Sequence, residues 1–106
     1  MSYRFMRVVV FFDLPTETPE DRREYRRFRR ILIKNGFLMM QESVYCRMLI
    51  NAGAGQSVID IVRSNKPKKG LVQVLTVTEK QFNGIEYIVG ESKSEIIQTD
   101  ERLIIL

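Results

Sequence analysis

The sequence contains no histidine and no tryptophan, and Cys46 is its one cysteine among 106 residues. Without histidine, Ser-His and Cys-His catalytic pairs and His-containing zinc sites are excluded. A single cysteine excludes an internal disulfide and a Cys-X-X-Cys pair, which agrees with a reducing cytoplasm. Because its neighbours Val44, Tyr45 and Met48 are apolar, we expect Cys46 to be a small side chain of the core.

Long hydrophobic runs are also absent. The apolar run at 8–12 follows Arg4 and Arg7, but it stops at Asp13 and lacks the small-residue cleavage pattern of a signal peptide. A membrane-spanning helix needs about 20 apolar residues. We therefore expect no membrane segment and a cytoplasmic location.

The composition favours one small globular domain with an anionic partner. Of the residues, 44% are hydrophobic and 28% are charged, and the net charge is +4. A chain of this length buries roughly 60–65% of the surface of its unfolded form, so association with a second copy would add useful burial. A positive net charge mildly favours an anionic partner.

Apolar periodicity and turn residues predict alternating strands and helices. Thr18, Pro19 and two following acids mark a helix start, and Gly36 fits the left-handed residue after its end. In chain order the predicted elements are a strand at 5–12, a helix from 18 to 35, strands at 37–40 and 43–50, a loop at 51–55, a helix through 58–62 that ends before Pro67, a strand at 71–77, a helical turn at 78–83, and last strand candidates at 84–89 and 103–106.

This order predicts an α+β fold, a ferredoxin-like βαββαβ sandwich with an additional C-terminal strand, as a single domain over 1–106. Both helices would cover one sheet face. The other face would be apolar, and we expect a second protomer to cover it, giving a homodimer. Residues 90–106 form a C-terminal extension whose strand at 103–106 would pair with a sheet edge of its own chain or of its partner.

The first predicted helix has one basic face. At about 100° per residue, Tyr25, Phe28, Ile31 and Leu32 share one arc, and the other arc carries Arg22, Arg23, Arg26, Arg27, Arg29, Arg30 and Lys34. Arginine forks suit phosphate oxygens, and a row of them on a rigid helix can follow a nucleic-acid backbone without reading bases. The alternative is a solvated face that pairs with the nearby acids Glu20, Asp21 and Glu24.

A lysine-rich turn at 66–69 either extends this basic surface or is a solvated turn. The candidate nucleic-acid-binding residues are Arg22, Arg23, Arg26, Arg27, Arg30, Lys66, Lys68 and Lys69.

Asp13 is the candidate catalytic and metal-binding residue, because it stands at the end of the first strand. It either satisfies backbone donors in the following turn or binds a cation. A hard divalent cation needs several oxygen ligands, so one aspartate is a poor site by itself. A nearby two-fold axis would place two copies of Asp13 around a shared ion that activates water against a phosphodiester. Glu42 and Asp60 are weaker acidic candidates, and Ser43 has no histidine to act as its base.

Several segments occur in the order found in one known family. They are an apolar strand that ends in Phe12-Asp13, an arginine-rich helix that closes at Gly36-Phe37, and the run Gln41-Glu42-Ser43-Val44-Tyr45. Together they resemble the CRISPR-associated protein two family, the small partner of the CRISPR integrase. Segments 1–7, 65–70, 75–82 and 100–102 are similar to the branch found in type II-A loci.

The resemblance implies a homodimer in which the terminal strand of one subunit joins the sheet of the other. It also implies that this dimer bridges two dimers of the integrase, CRISPR-associated protein one, and helps to hold spacer-precursor duplex DNA for insertion into the CRISPR array. Relatives have been assigned metal-dependent endonuclease activity on RNA or DNA, with the aspartate that matches Asp13 as the Mg²⁺ ligand. Two departures are Phe12, where many relatives have tyrosine, and a tail shorter than that of some relatives.

Three other functions compete with this reading. One is a free-standing toxin-like endoribonuclease of the same fold, which dependence of DNA binding on the integrase would distinguish. Another is a single-strand RNA-binding module, although the aromatic pattern of such modules is missing from 71–77. The third is a non-catalytic ferredoxin-like domain with a regulatory or binding role.

Overall fold

One four-stranded sheet, with β1 at its centre, organises the fold. The structure is a computed structural model that describes residues 5–51 and 53–91. Its elements are β1 (Met6–Asp13), α1 (Pro19–Lys34), β2 (Leu38–Gln41), β3 (Val44–Leu49), α2 (Gly53–Ser64), β4 (Leu71–Thr78) and α3 (Glu79–Phe82). The strand order is β2-β3-β1-β4 and every neighbouring pair is antiparallel. This topology confirms the predicted ferredoxin-like βαββαβ fold.

Helix α1 begins and ends at the residues that its boundary signals predict. The Thr18 hydroxyl accepts a hydrogen bond from the Asp21 N–H (3.0 Å), and the Asp21 carboxylate accepts one from the Thr18 N–H (3.2 Å). This reciprocal capping satisfies two backbone donors that a helix start leaves unpaired. At the other end Gly36 has φ +87°, the left-handed conformation that glycine adopts at low cost.

The core lies between the sheet and the two long helices. Side chains alternate along a strand, so Val8, Val10 and Phe12 all point to one face of β1. They pack in one buried cluster with Phe28 and Leu32 of α1 and with the valines of α2, Val58 and Val62. Burial of these apolar side chains positions α1 and α2 on the same side of the sheet.

The opposite side, which we call the open face, is also apolar. The register places Val9 beside Leu75 and Cys46, and Phe11 beside Val44. Leu71 and Leu75 on this face have 54% and 51% of their surface exposed. Within residues 5–51 and 53–91, only α3 and the segment that follows it reach this side, which agrees with the predicted uncovered apolar face.

Helix α2 begins earlier than the sequence predicts, at Gly53 inside the segment 51–55 that was expected to be a loop. The Asn51 side chain accepts a hydrogen bond from the Ala54 N–H (3.0 Å) and so caps the helix. Gly55 is buried, and a Cβ there would lie 3.1 Å from the Leu49 side chain. Gly55 therefore lets the helix approach β3 closely, and neither glycine breaks the helix.

The prediction of a strand at 84–89 is wrong for the described chain, which has turns and irregular structure there. Ile88 and Val89 are 83% and 92% exposed. The outer edges of β2 and β4 pair with no other described strand, and this segment adds to neither of them. The chain after α3 instead lies over the open face, where Ile85 lines the same groove as Leu75. The helical turn at 78–83 is confirmed as α3, whereas the strand candidate at 103–106 lies outside the described residues.

Gly70 provides a test of how tightly the end of β1 is packed. Its φ is +94°, and a Cβ at this position would lie 2.6 Å from the Asp13 carbonyl oxygen. We expect Gly70→Ala to lower the free energy of unfolding by roughly 1–3 kcal/mol, because the backbone of β1 must move as well as the strained residue. Gly90→Ala is the matched control, since Gly90 also has a positive φ (+90°) but nothing within 4 Å. Equal losses in urea denaturation of the two variants would contradict the close-approach argument.

Candidate nucleic-acid interface and strand-end carboxylate

Asp13 is the last residue of β1, and its side chain is exposed. The register pairs it with Leu71, and its position, two residues beyond Phe11, puts its side chain on the open face. No described residue donates a hydrogen bond to its carboxylate, so the alternative role of satisfying turn donors is not observed in residues 5–51 and 53–91. The carboxylate is therefore accessible to a ligand.

The Asp13 carboxylate lies beside a shallow groove of about 300 Å³. The polar residues of its wall are Gln41, Glu42, Ser43 and Gln73, which come from the end of β2, the β2–β3 turn and β4. Three segments that are distant in sequence thus meet at the end of β1. Amides, a hydroxyl and a carboxylate are groups that can bind the sugar–phosphate backbone of a nucleic acid.

The described part of one chain holds only a fraction of a metal site. It contains no group of three His, Cys, Asp or Glu side chains that could share an ion. Mg²⁺ is commonly bound by one or two carboxylates together with waters and phosphate oxygens. Asp13 fits such a set as one ligand, so a magnesium site here requires ligands in addition to those of residues 5–51 and 53–91.

Three of the seven basic residues on this face of α1 are held by contacts within the protein, and they are Arg22, Arg27 and Arg29. Arg22 donates to the carbonyl oxygens of Thr16 and Glu17 (3.0 and 2.9 Å). Arg29 Nε donates to the Tyr45 hydroxyl at 2.7 Å. These guanidinium groups connect α1 to its surroundings, and their donors are only partly available to a ligand.

Arg27 is held in the same way by Glu24, at 2.9 and 3.0 Å, and by the Asn65 carbonyl at 3.1 Å. The hydrogen bond from Arg27 is the main reason that the pKa of Glu24 is lowered, and the charge of Lys68 adds to it. Lys69 lies 3.5 Å from Asp21. The alternative reading of a salt-bridged face therefore holds for Arg27 and for part of the lysine turn.

Arg23, Arg26 and Arg30 are different. All three are exposed, and none forms a hydrogen bond or an ion pair with a residue of the described ranges. Their spacing of three and four residues places them along one side of α1. They remain the best candidates for phosphate contacts.

The basic side chains of α1 and the Asp13 carboxylate belong to different layers of the molecule. Helix α1 packs on the face formed by Val8, Val10 and Phe12, whereas Asp13 shares the open face. The sequence predicted one function for the basic residues and for Asp13, but it contained no information on which side of the sheet each would lie. A duplex that lies along α1 is thus on the other side of the sheet from the carboxylate.

Sequence reasoning missed two polar contacts because their partners are distant along the chain. Arg7 makes two hydrogen bonds to Glu79 (2.8 and 3.0 Å), 72 residues away, and its guanidinium lies 4.3 Å from the centre of the Phe82 ring. This pair fastens α3 to the open face. Tyr25 and Ser43, 18 residues apart, share a hydrogen bond of 2.9 Å between their hydroxyl groups.

The thiol of Cys46 is buried, as predicted, and it takes no evident part in chemistry. Burial raises its pKa, although the neighbouring Arg7 guanidinium at 3.6 Å opposes this shift. A protonated thiol is a poor nucleophile. Among the described residues, Asp13 therefore remains the main candidate for chemistry.

The fold and these sites define a small ferredoxin-like domain with a cationic helix on one side of its sheet and a strand-end carboxylate on the other. The family described as CRISPR associated protein Cas2 matches residues 6–85 of the chain. The protein belongs to this family, which confirms the resemblance seen in its motifs. No helix of the described chain has the length and hydrophobicity to cross a membrane.

Curated relatives extend the match to nearly the whole chain. A protein of Treponema denticola named CRISPR-associated endoribonuclease Cas2 is 54% identical over 95% of this chain and 100% of its own length. Proteins of the same name from Streptococcus mutans and Ligilactobacillus salivarius are 46% and 45% identical, each over 95% of this chain and over 93% and 100% of their own lengths. The streptococcal similarity supports a type II-A-like branch.

A solved structure shows the same fold. The crystal structure described as cas2 superposes with a TM-score of 0.57 and covers 85% of this chain and 92% of that chain. The two sequences are 22% identical, so this likeness concerns the fold alone.

Proposed function

We propose that this chain is a CRISPR adaptation protein. Its homodimer is a scaffold that works with the CRISPR integrase and binds spacer-precursor duplex DNA. It also has a magnesium-dependent endonuclease site at paired Asp13 residues. The observation that carries the proposal is the division of groups by the sheet: unpaired cations lie on α1, and an accessible carboxylate ends the open face. Binding and cleavage then use separate surfaces. Family membership supports the proposed partnership with the integrase.

The open face supports association with a second copy. Exposed Leu75 lines an apolar groove of about 370 Å³ together with Val9 and Phe82. Exposed Leu71 lines the groove beside Asp13 on the same face. Covering this face with the same face of a second chain gives a self-complementary interface around a two-fold axis. Because Asp13 is on the same face, an axis near the end of β1 brings two carboxylates together.

Leu75→Glu tests this interface. We expect the substitution to weaken the dimer by at least about 100-fold, because a carboxylate buried in an apolar interface loses its hydration without gaining a partner. Ile33→Glu on α1 is the matched control, since Ile33 is 47% exposed and Leu75 is 51% exposed. Sedimentation equilibrium over a concentration series measures both variants. A dimer that Ile33→Glu weakens as much as Leu75→Glu would place the interface elsewhere.

The proposed chemistry is hydrolysis of a phosphodiester. Two Asp13 carboxylates from the dimer would hold Mg²⁺, which stabilises negative charge on phosphate oxygens. The rest of the described site contributes the polar groove that receives the strand. The relatives are named endoribonucleases, which favours RNA as the substrate of this activity.

Asp13→Asn separates cleavage from binding. We expect Mg²⁺-dependent cleavage to fall by on the order of 100-fold or more, because the amide keeps the shape of the carboxylate but loses its charge. Duplex binding and integrase association should change by less than about twofold, because the carboxylate lies on the other side of the sheet from the basic residues of α1 that are proposed to contact phosphates. Cleavage is followed on labelled RNA and DNA, with and without chelator. Cleavage at the original rate in purified variant protein would place the chemistry elsewhere.

The basic side of α1 supports duplex binding through phosphates. Arg23, Arg26 and Arg30 are exposed and unpaired within the described ranges, so their donors are available to phosphate oxygens. Such contacts release counterions and depend on salt rather than on base sequence. The competing reading, a free-standing endoribonuclease, predicts instead that activity and binding are independent of the integrase.

The double variant Arg26→Ala/Arg30→Ala tests this surface. Each phosphate contact contributes about −0.9 to the slope of log affinity against log salt, so removing four side chains from a dimer should flatten the slope by up to roughly 4 units. The control is Arg22→Ala/Arg29→Ala, which removes the same charge from α1 at positions already bonded within the protein. Fluorescence anisotropy of a labelled duplex, alone and with the integrase, measures both slopes. Equal flattening in the two variants would show a net-charge effect and not a contact surface.

A further inference from the structure

Ser43 has an unusual backbone conformation for its position beside Asp13. It is the one non-glycine residue with a positive φ, 66°, in the described part of the chain. A non-glycine residue at positive φ is strained, and such strain is concentrated at functional sites. Ser43 ends the tight turn between β2 and β3, and its carbonyl oxygen accepts a hydrogen bond from the Phe12 N–H at 3.0 Å. The turn is thereby fixed against the residue that precedes Asp13.

The Ser43 side chain is held by a second contact. Its hydroxyl lies 2.9 Å from the hydroxyl of Tyr25, and the Tyr25 ring packs edge-on against Phe12 with centroids 5.7 Å apart. A phenol is more acidic than an alcohol, so Tyr25 is the better donor of this pair. With Tyr25 as the donor, the Ser43 O–H is left to donate to another group.

Residues 5–51 and 53–91 do not supply that other group, so a ligand can. Ser43 lines the groove that contains Asp13, and no second acceptor for its hydroxyl is found among residues 5–51 and 53–91. The chain has no histidine to remove the Ser43 proton. The hydroxyl is therefore suited to donate a hydrogen bond rather than to act as a nucleophile.

We infer that Ser43 is a substrate-binding residue of the Asp13 site, whose hydroxyl donates to a phosphate oxygen of the bound strand, and that Tyr25 is the positioning residue that orients it. This inference rests on the proposed cleavage at Asp13. Ser43 and Asp13 line one groove at the same end of the sheet, so a strand bound at that end can contact both residues. It also connects α1 to the site through Tyr25.

Two substitutions at Ser43 separate the hydroxyl from the strain. Ser43→Ala and Ser43→Gly both remove the hydroxyl, but glycine adopts a positive φ without strain. We expect kcat/KM for cleavage of a labelled RNA to fall about 10- to 100-fold in both variants, mainly through KM, as for a lost hydrogen bond to a charged group. The Ser43→Gly protein should melt at a temperature no lower than that of the Ser43→Ala protein. Tyr25→Phe should have a smaller effect in the same direction.

A binding measurement gives the same test without turnover. In the Asp13→Asn background, Ser43→Ala should weaken the affinity for a short labelled RNA strand by a similar factor. Ser57→Ala, which removes an exposed hydroxyl from α2, is the matched control and should change neither quantity. Wild-type kcat/KM and affinity in Ser43→Gly would overturn the inference and leave Ser43 with a role in shaping the turn.

The two proposals fail in different ways. Cleavage that is lost in Asp13→Asn but unchanged in both Ser43 variants contradicts only the inference about Ser43. If the wild-type protein shows no Asp13-dependent cleavage, the proposed chemistry is wrong. The affinities measured in the Asp13→Asn background then decide the role of Ser43: a weaker affinity in Ser43→Ala supports it, and an unchanged affinity overturns it.

Discussion

The alternation of side chains along β1 is the constraint on which the rest of the structure depends. β1 pairs on both edges, with β3 and β4, and it is buried on both faces at Val8, Val9 and Val10. A shift of one residue in its register would exchange the core face and the open face. The same alternation assigns Asp13 to the open face, so one strand fixes both the packing of the helices and the location of the carboxylate.

The end of β1 is held by neighbours on both sides. On one side, Gly70 approaches the Asp13 carbonyl so closely that a side chain would not fit. On the other side, the Ser43 carbonyl oxygen accepts a hydrogen bond from the Phe12 N–H, and the Ser43 hydroxyl shares a hydrogen bond with the Tyr25 hydroxyl. Binding sites depend on such support, because a side chain is positioned only as well as the backbone that carries it. A glycine and a strained serine are therefore part of the site, even though neither is a catalytic group.

Acidic side chains of α1 pair with some of the basic groups on and near this helix and leave others unpaired in the described chain. Glu24 holds Arg27, and Asp21 lies close to Lys69, so these basic groups are partly neutralised within the protein. Exposed ion pairs of this kind contribute little to stability, about 0–1 kcal/mol. Their larger effect is on the surface, because Arg23, Arg26, Arg30 and Lys34 are then the basic side chains of α1 that have no hydrogen bond or ion pair within residues 5–51 and 53–91. A uniformly basic face in the sequence thus becomes a narrower row in the structure.

Local sequence signals determined much of the fold. The Thr18 cap, Gly36 and the alternation at 8–12 predicted α1, β1 and the two-layer architecture, because each acts over a few residues. The family motifs predicted Asp13 as a site residue, and its exposed position at the end of β1 agrees with that role. The segment with Gly53 and Gly55 was predicted to be a loop, and this was wrong, because the close approach of Gly55 to β3 is a tertiary contact.

Only the tertiary structure decided which charged groups are available and which faces they share. Arg22, Arg27 and Arg29 are equivalent to Arg26 in the sequence, but backbone carbonyls, Glu24 and Tyr45 engage them in the folded chain. The apolar segment 84–89 has the composition of a strand, yet it pairs with neither outer edge of the sheet in the described chain. Propensity and charge are local properties that the sequence determines by itself, whereas pairing and burial depend on groups that folding brings together from distant positions.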